Sequence, residues 1–225
     1  MDSTIRVNKY LATNAGISRR AADQAVEQGR VQINGSPARL GAALTPEDVI
    51  TLDGVVIAPR STHVLIALNK PVGYVCSRRQ QGDSPTVYSL LPDEYQTLKL
   101  VGRLDRDSSG IILLTSDGDL AHSLTHPSFH KQKIYEVALD HDLQPLHRQM
   151  ISDHGVILED GKSKFELDRL HDGDDTRWQI IMSEGRNRQI RRTFAALGYT
   201  VTALHRTQFG PYALGSLAPG QYQSI

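Results

Sequence analysis

The sequence predicts an α+β protein in two parts, a small basic helical module over residues 1–60 and a larger, mostly antiparallel-sheet domain over residues 61–225. Three observations carry this expectation. Charge reverses along the first part: Arg6, Lys9, Arg19, Arg20 and Arg30 against Asp23 and Glu27 give five minus two, a net +3. Residues 31–59 set Arg39 against Glu47, Asp48 and Asp53, one minus three, a net −2. Pro59-Arg60-Ser61-Thr62 then reads as a short polar linker. Beyond it, strand-like and helix-like stretches interleave without regular βαβ spacing.

Each element has a local signal. Val7, Tyr10 and Leu11 fall on one face of a first helix; Ser18 suits the N-cap of a second, and Gly29 its C-terminal stop. Asn34-Gly35 and Asp53-Gly54 are strong hairpin dipeptides and predict short strands around them. In the larger part, Val64 to Leu68, Ile111 to Leu114, Tyr135 to Leu139, Phe165 to Leu170 and Gln179 to Met182 read as strands. Asp119 to Leu124, Gln144 to Ile151 and Asn187 to Leu197 read as helices, the last capped by Asn187 and ended by Gly198.

Composition bounds the function. Lys plus Arg is 25 and Asp plus Glu is 25, so the formal net charge is zero and nucleic acid cannot be held by overall charge; a local basic face is required. With 39% apolar residues a buried core is expected. A lone cysteine, Cys76, excludes a disulfide framework and a Cys-rich zinc module. Met1-Asp2-Ser3-Thr4 is not the start of a signal peptide, and no stretch approaches the ~20 apolar residues of a membrane span. The expectation is a cytoplasmic, monomeric protein that makes no membrane contact.

Lys9 on the first helix and Arg19 and Arg20 opening the second could form a phosphate-binding face that reads no bases. An ordinary solvated helix surface fits them too. In the larger part, a polar loop from Arg103 to Gly110 runs into the apolar strand Ile111 to Leu114, which can hold a loop side chain accurately. Asp105, Asp107, Asp117 and Asp119 fall nearby. Clustered carboxylates could hold Mg²⁺ for phosphoryl chemistry. Alternatively, one catalytic carboxylate is kept ionised by flanking arginines. Asp117 and Asp119 precede a helix and suit its dipole, and Asp107 fits a loop role, which leaves the metal reading short of ligands.

Glu184-Gly185-Arg186-Asn187-Arg188-Gln189-Ile190-Arg191-Arg192 carries four positive charges and one negative, a net +3. With Ile190, Phe194 and Leu197 as the buried stripe, Arg188 and Arg192 point away, toward phosphates or solvent, and Arg191 lies at the border. Arg191 is therefore placed to reach inward to a carboxylate. His122, His126 and His130 recur at zinc-like spacing, but Pro127 interrupts the helix and no acidic base lies between them, so they read as turn and surface residues.

Two resemblances cover nearly the whole chain. Val7 to Gly35 resembles the αL RNA-binding domain, a small module shared by a ribosomal protein and several RNA-modifying enzymes. GRLDRDSSGIILLT resembles the signature loop of the pseudouridine synthases, in the subgroup that modifies ribosomal RNA and carries an αL module in front. Leu68-Asn69-Lys70-Pro71-x-Gly73, Lys131-x-Lys133-x-Tyr135-x-Val137 and Val201-x-x-Leu204-x-Arg206 extend the likeness. Departures are small: Ile111-Ile112 stand where two leucines are common, and the sequence stops at Ile225 without a basic tail, which bears on substrate choice.

The resemblance implies an enzyme that isomerises a uridine in ribosomal RNA, leaning to the large subunit, with no cofactor and no metal. It implies Asp105 as the catalytic carboxylate, Arg191 beside it, and Tyr135 and Leu204 against the target base. Lys9, Arg19, Arg20, Arg103, Arg186, Arg188 and Arg192 would contact RNA. A small-subunit target, a non-catalytic assembly factor and a metal-dependent nuclease are the competing readings; the co-occurrence of Asp105, Tyr135 and Arg191 argues against the second.

Overall fold

The structure, a computed structural model, describes residues 4–60 and 62–225; the Met1-Asp2-Ser3 start and Ser61 of the expected linker lie outside the described residues. The chain forms two compact units. One holds the residues up to Val64 with Thr97–Lys99 and Ser116–Gly118; the other holds Leu65–Gln96, Leu100–Thr115 and Asp119–Ile225.

The first unit runs β1 (Ile5–Arg6), α1 (Val7–Asn14), α2 (Arg19–Glu27), β2 (Val31–Ile33), β3 (Ser36–Pro37), β4 (Ala43–Leu44), β5 (Ile50–Leu52) and β6 (Val55–Val56). Its core is Val7 and Leu11 of α1 against Ala22, Ala25 and Val26 of α2, closed by Val31, Leu44 and Ile50. Ser18 caps α2, its Oγ accepting from the Ala21 N–H at 3.1 Å. At the other end Gly29 turns left-handed at φ +71°; its N–H reaches Val26 O while that of Arg30 reaches Ala25 O. That paired closure is why the helix stops there. Asn34-Gly35 and Asp53-Gly54 all have positive φ and close the β2–β3 and β5–β6 hairpins, as those dipeptides predict. Before residue 61, the Arg60 N–H donates to Asn14 Oδ1 at 2.9 Å.

From Leu65 onward the chain runs β7 (Leu65–Lys70), β8 (Lys99–Val101), β9 (Ser109–Thr115), α3 (Gly118–Thr125), β10 (Lys133–Leu139), α4 (Pro145–Gln149), β11 (Val156–Leu158), β12 (Gly161–Ser163), β13 (Glu166–Arg169), β14 (Arg177–Met182), α5 (Gln189–Ala195), β15 (Val201–Phe209), β16 (Tyr212–Ala213) and β17 (Tyr222–Ser224). The main sheet has the order β13-β14-β10-β15-β9-β7-β17, with β8 beside β9 and β16 beside β15. Neighbours along this order are antiparallel, apart from β9 and β15, which run parallel. Trp178, Ile180, Phe194, Val137 and Ile151 build the core on one side of it, and Val101, Ile111, Leu113 and Phe209 a second cluster.

The parallel contact is two residues long, Ser109 opposite His205 and Gly110 opposite Arg206. Gly110 sits at φ +109°, and a Cβ there would lie 2.2 Å from Arg206 O. Only glycine lets these two backbones meet.

The short strands β8, β11, β12, β16 and β17 are not expected from the sequence, and three longer elements also differ from the sequence reading. β15, the long strand between β10 and β9, carries Thr202, His205, Arg206, Thr207 and Gln208, and this polar content hides it; it forms because both neighbours supply backbone partners. The helix expected over Gln144 to Ile151 splits into α4 and a π-helical turn, Met150–His154, that ends at Gly155 with φ +79°. Asn187 caps nothing: α5 begins at Gln189, and Arg188 holds the N-cap position in a left-handed conformation, φ 45° and ψ 33°.

Candidate active site

The loop between β8 and β9 carries Asp105 and is tied down through its backbone. Lys70, fully buried at the end of β7, donates to Pro71 O at 3.0 Å and Ser108 O at 2.6 Å, with Arg106 O at 3.5 Å. The Gly73 N–H also reaches Arg106 O at 2.7 Å, and the Leu104 N–H reaches Cys76 Sγ at 3.3 Å. The ammonium thus holds the far end of the Asp105–Ser108 turn, which the Ser108 N–H closes onto Asp105 O at 3.1 Å. Burial pulls the Lys70 ammonium below its ordinary value; the nearby Cys76, Asp105 and Asp107 oppose that shift.

Asp105 lies on the wall of a cleft of about 440 Å³, its side chain about a third exposed. On the sheet, Tyr135 is opposite Arg206 and Val137 opposite Leu204. Strand side chains alternate, so Tyr135, Leu204 and Arg206 share one face, and all three line the cleft with Asp105. Arg206 is almost wholly buried: its Nε and one terminal nitrogen donate to Ile111 O at 2.9 and 2.8 Å. Its guanidinium carbon sits 4.7 Å from the Phe209 ring centroid and 6.0 Å from that of Tyr135. The cleft thus has an aromatic and an aliphatic wall, a buried cation behind them and two carboxylates in its lining, Asp105 and Glu184.

The arginines of the Glu184 to Arg192 segment are arranged otherwise than expected. Arg188 forks onto Asp107 at 3.0 and 2.9 Å, and the same NH1 lies 3.6 Å from Asp105 Oδ2. Arg191, expected beside Asp105, donates to Val201 O and Asp107 O, both at 2.8 Å, and its Nε is 3.4 Å from Asp107 Oδ2. The ion-pair partner of Asp105 is therefore Arg188. Arg191 does reach inward to a carboxylate, that of Asp107, whereas Arg188, expected to point away, is turned onto the loop by its left-handed backbone at the N-cap. The Arg188 fork holds the Asp107 carboxyl below its ordinary value, with Arg191 helping and burial opposing, while Arg188 itself is raised by the same bond.

Arg186 and Arg192 converge on the β11–β12 turn. Arg186 donates to Asp160 O and Oδ1, Gly161 O and Lys162 O at 2.8–3.1 Å, and Arg192 to Asp160 Oδ2 at 2.6 Å and Asn187 O at 2.9 Å. Beneath them, buried Gln189 and Thr193 bond the buried Ser163 Oγ at 3.0 and 2.8 Å. Arg103 lines the cleft. Lys9, Arg19 and Arg20 belong to the first unit, with both arginines exposed at the start of α2. Arg30, also counted in that basic tally, forks onto Asp53 across the β5–β6 turn. His122 and His126 lie tilted to each other at 4.8 Å with Phe129 edge-on to both, and no metal-binding group of three acidic, histidine or cysteine residues occurs among the described residues.

Sequence reasoning passed over Lys70, Asp107, Asp160 and Arg206 as working residues. A lysine closing the strand LIALNK and an arginine alternating with Leu204 were the available signals; Asp160 offered none.

A sheet domain with an aspartate loop at an aromatic cleft, together with a small helical module, defines a nucleic-acid-modifying enzyme of two units. The family comparison makes this specific: residues 64–196 match the RNA pseudouridylate synthase model and residues 5–50 the S4 domain model, and the chain belongs to the RNA pseudouridylate synthase family. It is a pseudouridine synthase, an isomerase. Ribosomal small subunit pseudouridine synthase A of Pasteurella multocida is 37% identical, over 98% of this chain and 96% of that protein. Ribosomal large subunit pseudouridine synthase B of Pseudomonas aeruginosa is 36% identical, over 98% of this chain and 59% of its own length. A solved pseudouridylate synthase superposes with a TM-score of 0.69 at 34% identity, over 98% of this chain and 96% of its own.

Proposed function

We propose that this chain converts a uridine of ribosomal RNA to pseudouridine, with Asp105 as the acting carboxylate. The observation that carries the reading is the placement of Asp105 at a cleft whose walls are Tyr135 and Leu204. A planar base that leaves its stack would be received between aromatic and aliphatic surfaces, with its sugar toward the carboxylate. The N1–C1′ bond breaks, the uracil turns, C5 bonds to C1′, and the C5 proton is lost as N1 gains one. Asp105 acts at C1′ as nucleophile or at C2′ as base; a carboxylate serves both. Atoms and electrons balance within the nucleotide, so the isomerisation calls for no cofactor or metal.

Division of labour at residues 60 and 61 is part of the proposal: residues 1–60 hold RNA through Lys9, Arg19 and Arg20, and residues 61–225 carry the chemistry. The positions of the two family matches support it. A monomer in the cytoplasm is part of the same proposal, a ribosomal RNA target supporting the location. No helix among the described residues is long and apolar enough to cross a membrane. As target we put the small-subunit RNA first, on relatives of that name at 37% and 38% identity. The large-subunit RNA, favoured by the sequence reading, has the support of relatives at 35% and 36%.

Tritium release from 5-labelled uridine in small- and large-subunit transcripts, followed by mapping of the product, tests this. Release from one transcript, abolished by Asp105→Asn, is expected. Release that survives the substitution removes Asp105 from the mechanism.

A further inference from the structure

We propose that Asp107 is a positioning residue: it holds Arg188 against Asp105 and withholds that arginine from RNA phosphates. The inference rests on the pseudouridine synthase reading and deepens it. Arg188 lines the cleft with its side chain 43% exposed, and by exposure and charge it is a phosphate binder in the making. Both terminal nitrogens are nevertheless committed to Asp107, at 3.0 and 2.9 Å. The bidentate fork fixes the guanidinium plane, and only then does NH1 stand 3.6 Å from Asp105 Oδ2.

The backbone supports the same conclusion. Arg188 holds φ 45°, which costs energy for a residue with a Cβ and persists only where surroundings over-determine it. Asp107 is itself anchored from the other side, its carbonyl accepting from Arg191 NH2 at 2.8 Å and its Oδ2 lying 3.4 Å from Arg191 Nε. Locally the two carboxylates meet two guanidiniums, with the Lys70 ammonium beneath the same loop. Asparagine at 107 keeps the shape and removes one negative charge. Arg188 then loses its fork, drifts from Asp105, and becomes available to phosphate.

Two effects of opposite sense follow, which a merely structural residue would not give. With Asp107→Asn, the single-turnover rate at saturating RNA should fall by about 10- to 100-fold, as for a misplaced catalytic group. The slope of log affinity against log salt should steepen by about 0.7 to 0.9, one added phosphate contact. Adding Arg188→Met to that variant should return the slope to the wild-type value. Arg188→Met alone, which leaves the Asp107–Arg191 contact intact, should slow the reaction and leave the slope unchanged; it also serves should Asp107→Asn fail to fold. An unchanged rate or slope in Asp107→Asn, or a flattened slope in Arg188→Met alone, overturns the proposal. The slopes are read from binding to ribosomal RNA transcripts, so they remain informative even if the wild type releases no tritium, the result that would instead sink the pseudouridine reading.

Discussion

Arginine is used in two opposite ways on α2 and on the Glu184 to Arg192 segment. On α2, Arg19 and Arg20 stand exposed, and among the described residues no ion pair joins either to a carboxylate. They also occupy the first helical turn, where positive charge opposes the helix dipole at a cost of a few tenths of a kcal/mol. In the second unit, Arg186, Arg188, Arg191 and Arg192 all rest on Asp160 or on the Asp105–Asp107 loop. A charge tally treats the six alike. The contacts separate cations left open to an outside anion from cations already spent inside the fold, and only the first kind should report on salt.

The largest effect that would sharpen this contrast is chemical. Asp105→Asn is nearly isosteric but cannot act as nucleophile or base, so turnover should fall by on the order of 10³-fold or more, with RNA affinity within about a few fold. Affinity lost in step with turnover would mean that the loop binds more than it reacts.

Next in size is a change that breaks the second unit alone. Gly110→Ala drives a methyl into the Arg206 backbone and should destabilise that unit by about 3 kcal/mol or more, seen as a lower urea midpoint. A midpoint unmoved would show that the strands can part at little cost.

A smaller effect is expected from the exposed pair. Arg19→Ala with Arg20→Ala should flatten the salt slope by about 1.4 to 1.8, two phosphate contacts, with the rate at saturating RNA unchanged. Arg192→Met, by contrast, should leave the slope nearly flat to mutation, because that guanidinium is bonded to Asp160 and Asn187 O. Equal slopes from the two experiments would erase the distinction between open and spent arginines.

The smallest effect concerns acid. Asp107 has a depressed carboxyl value, so its contribution to stability is whole above the ordinary carboxylate range, near pH 4, and is lost as pH falls through the depressed value. The melting-temperature difference between wild type and Asp107→Asn should therefore shrink below about pH 4 and stay constant above about pH 5. A difference that grew on acidification would reverse the assigned sign.

What the sequence makes legible is what neighbouring residues decide. The Ser18 cap, the Gly29 stop and the Asn34-Gly35 and Asp53-Gly54 turns depend on contacts a few residues apart, and all stand as read. Asp105, Tyr135 and Leu204 meet in one cleft as the family motifs imply. What escaped depends on distance or on backbone hand. Asp160 reaches Arg186 and Arg192 across 26 and 32 residues of chain. The inward turn of Arg188 onto the Asp105–Asp107 loop follows from one left-handed residue that no helical wheel contains.

The two-residue parallel contact between β9 and β15 also sets an order of events during folding. Ser109 and Gly110 wait for partners at His205 and Arg206, and Arg206 reaches Ile111 O across 95 residues. Closing so long a loop is the slow, entropy-limited kind of step, whereas the α1–α2 pair and the β2–β3 and β5–β6 hairpins close over short stretches. On a ribosome adding about 5–20 residues per second, the amino-terminal unit has many seconds to form while the cleft still lacks the strand bearing Leu204 and Arg206. A nascent chain stalled before Val201 therefore presents exposed arginines on α2 and lacks the aliphatic wall for a base.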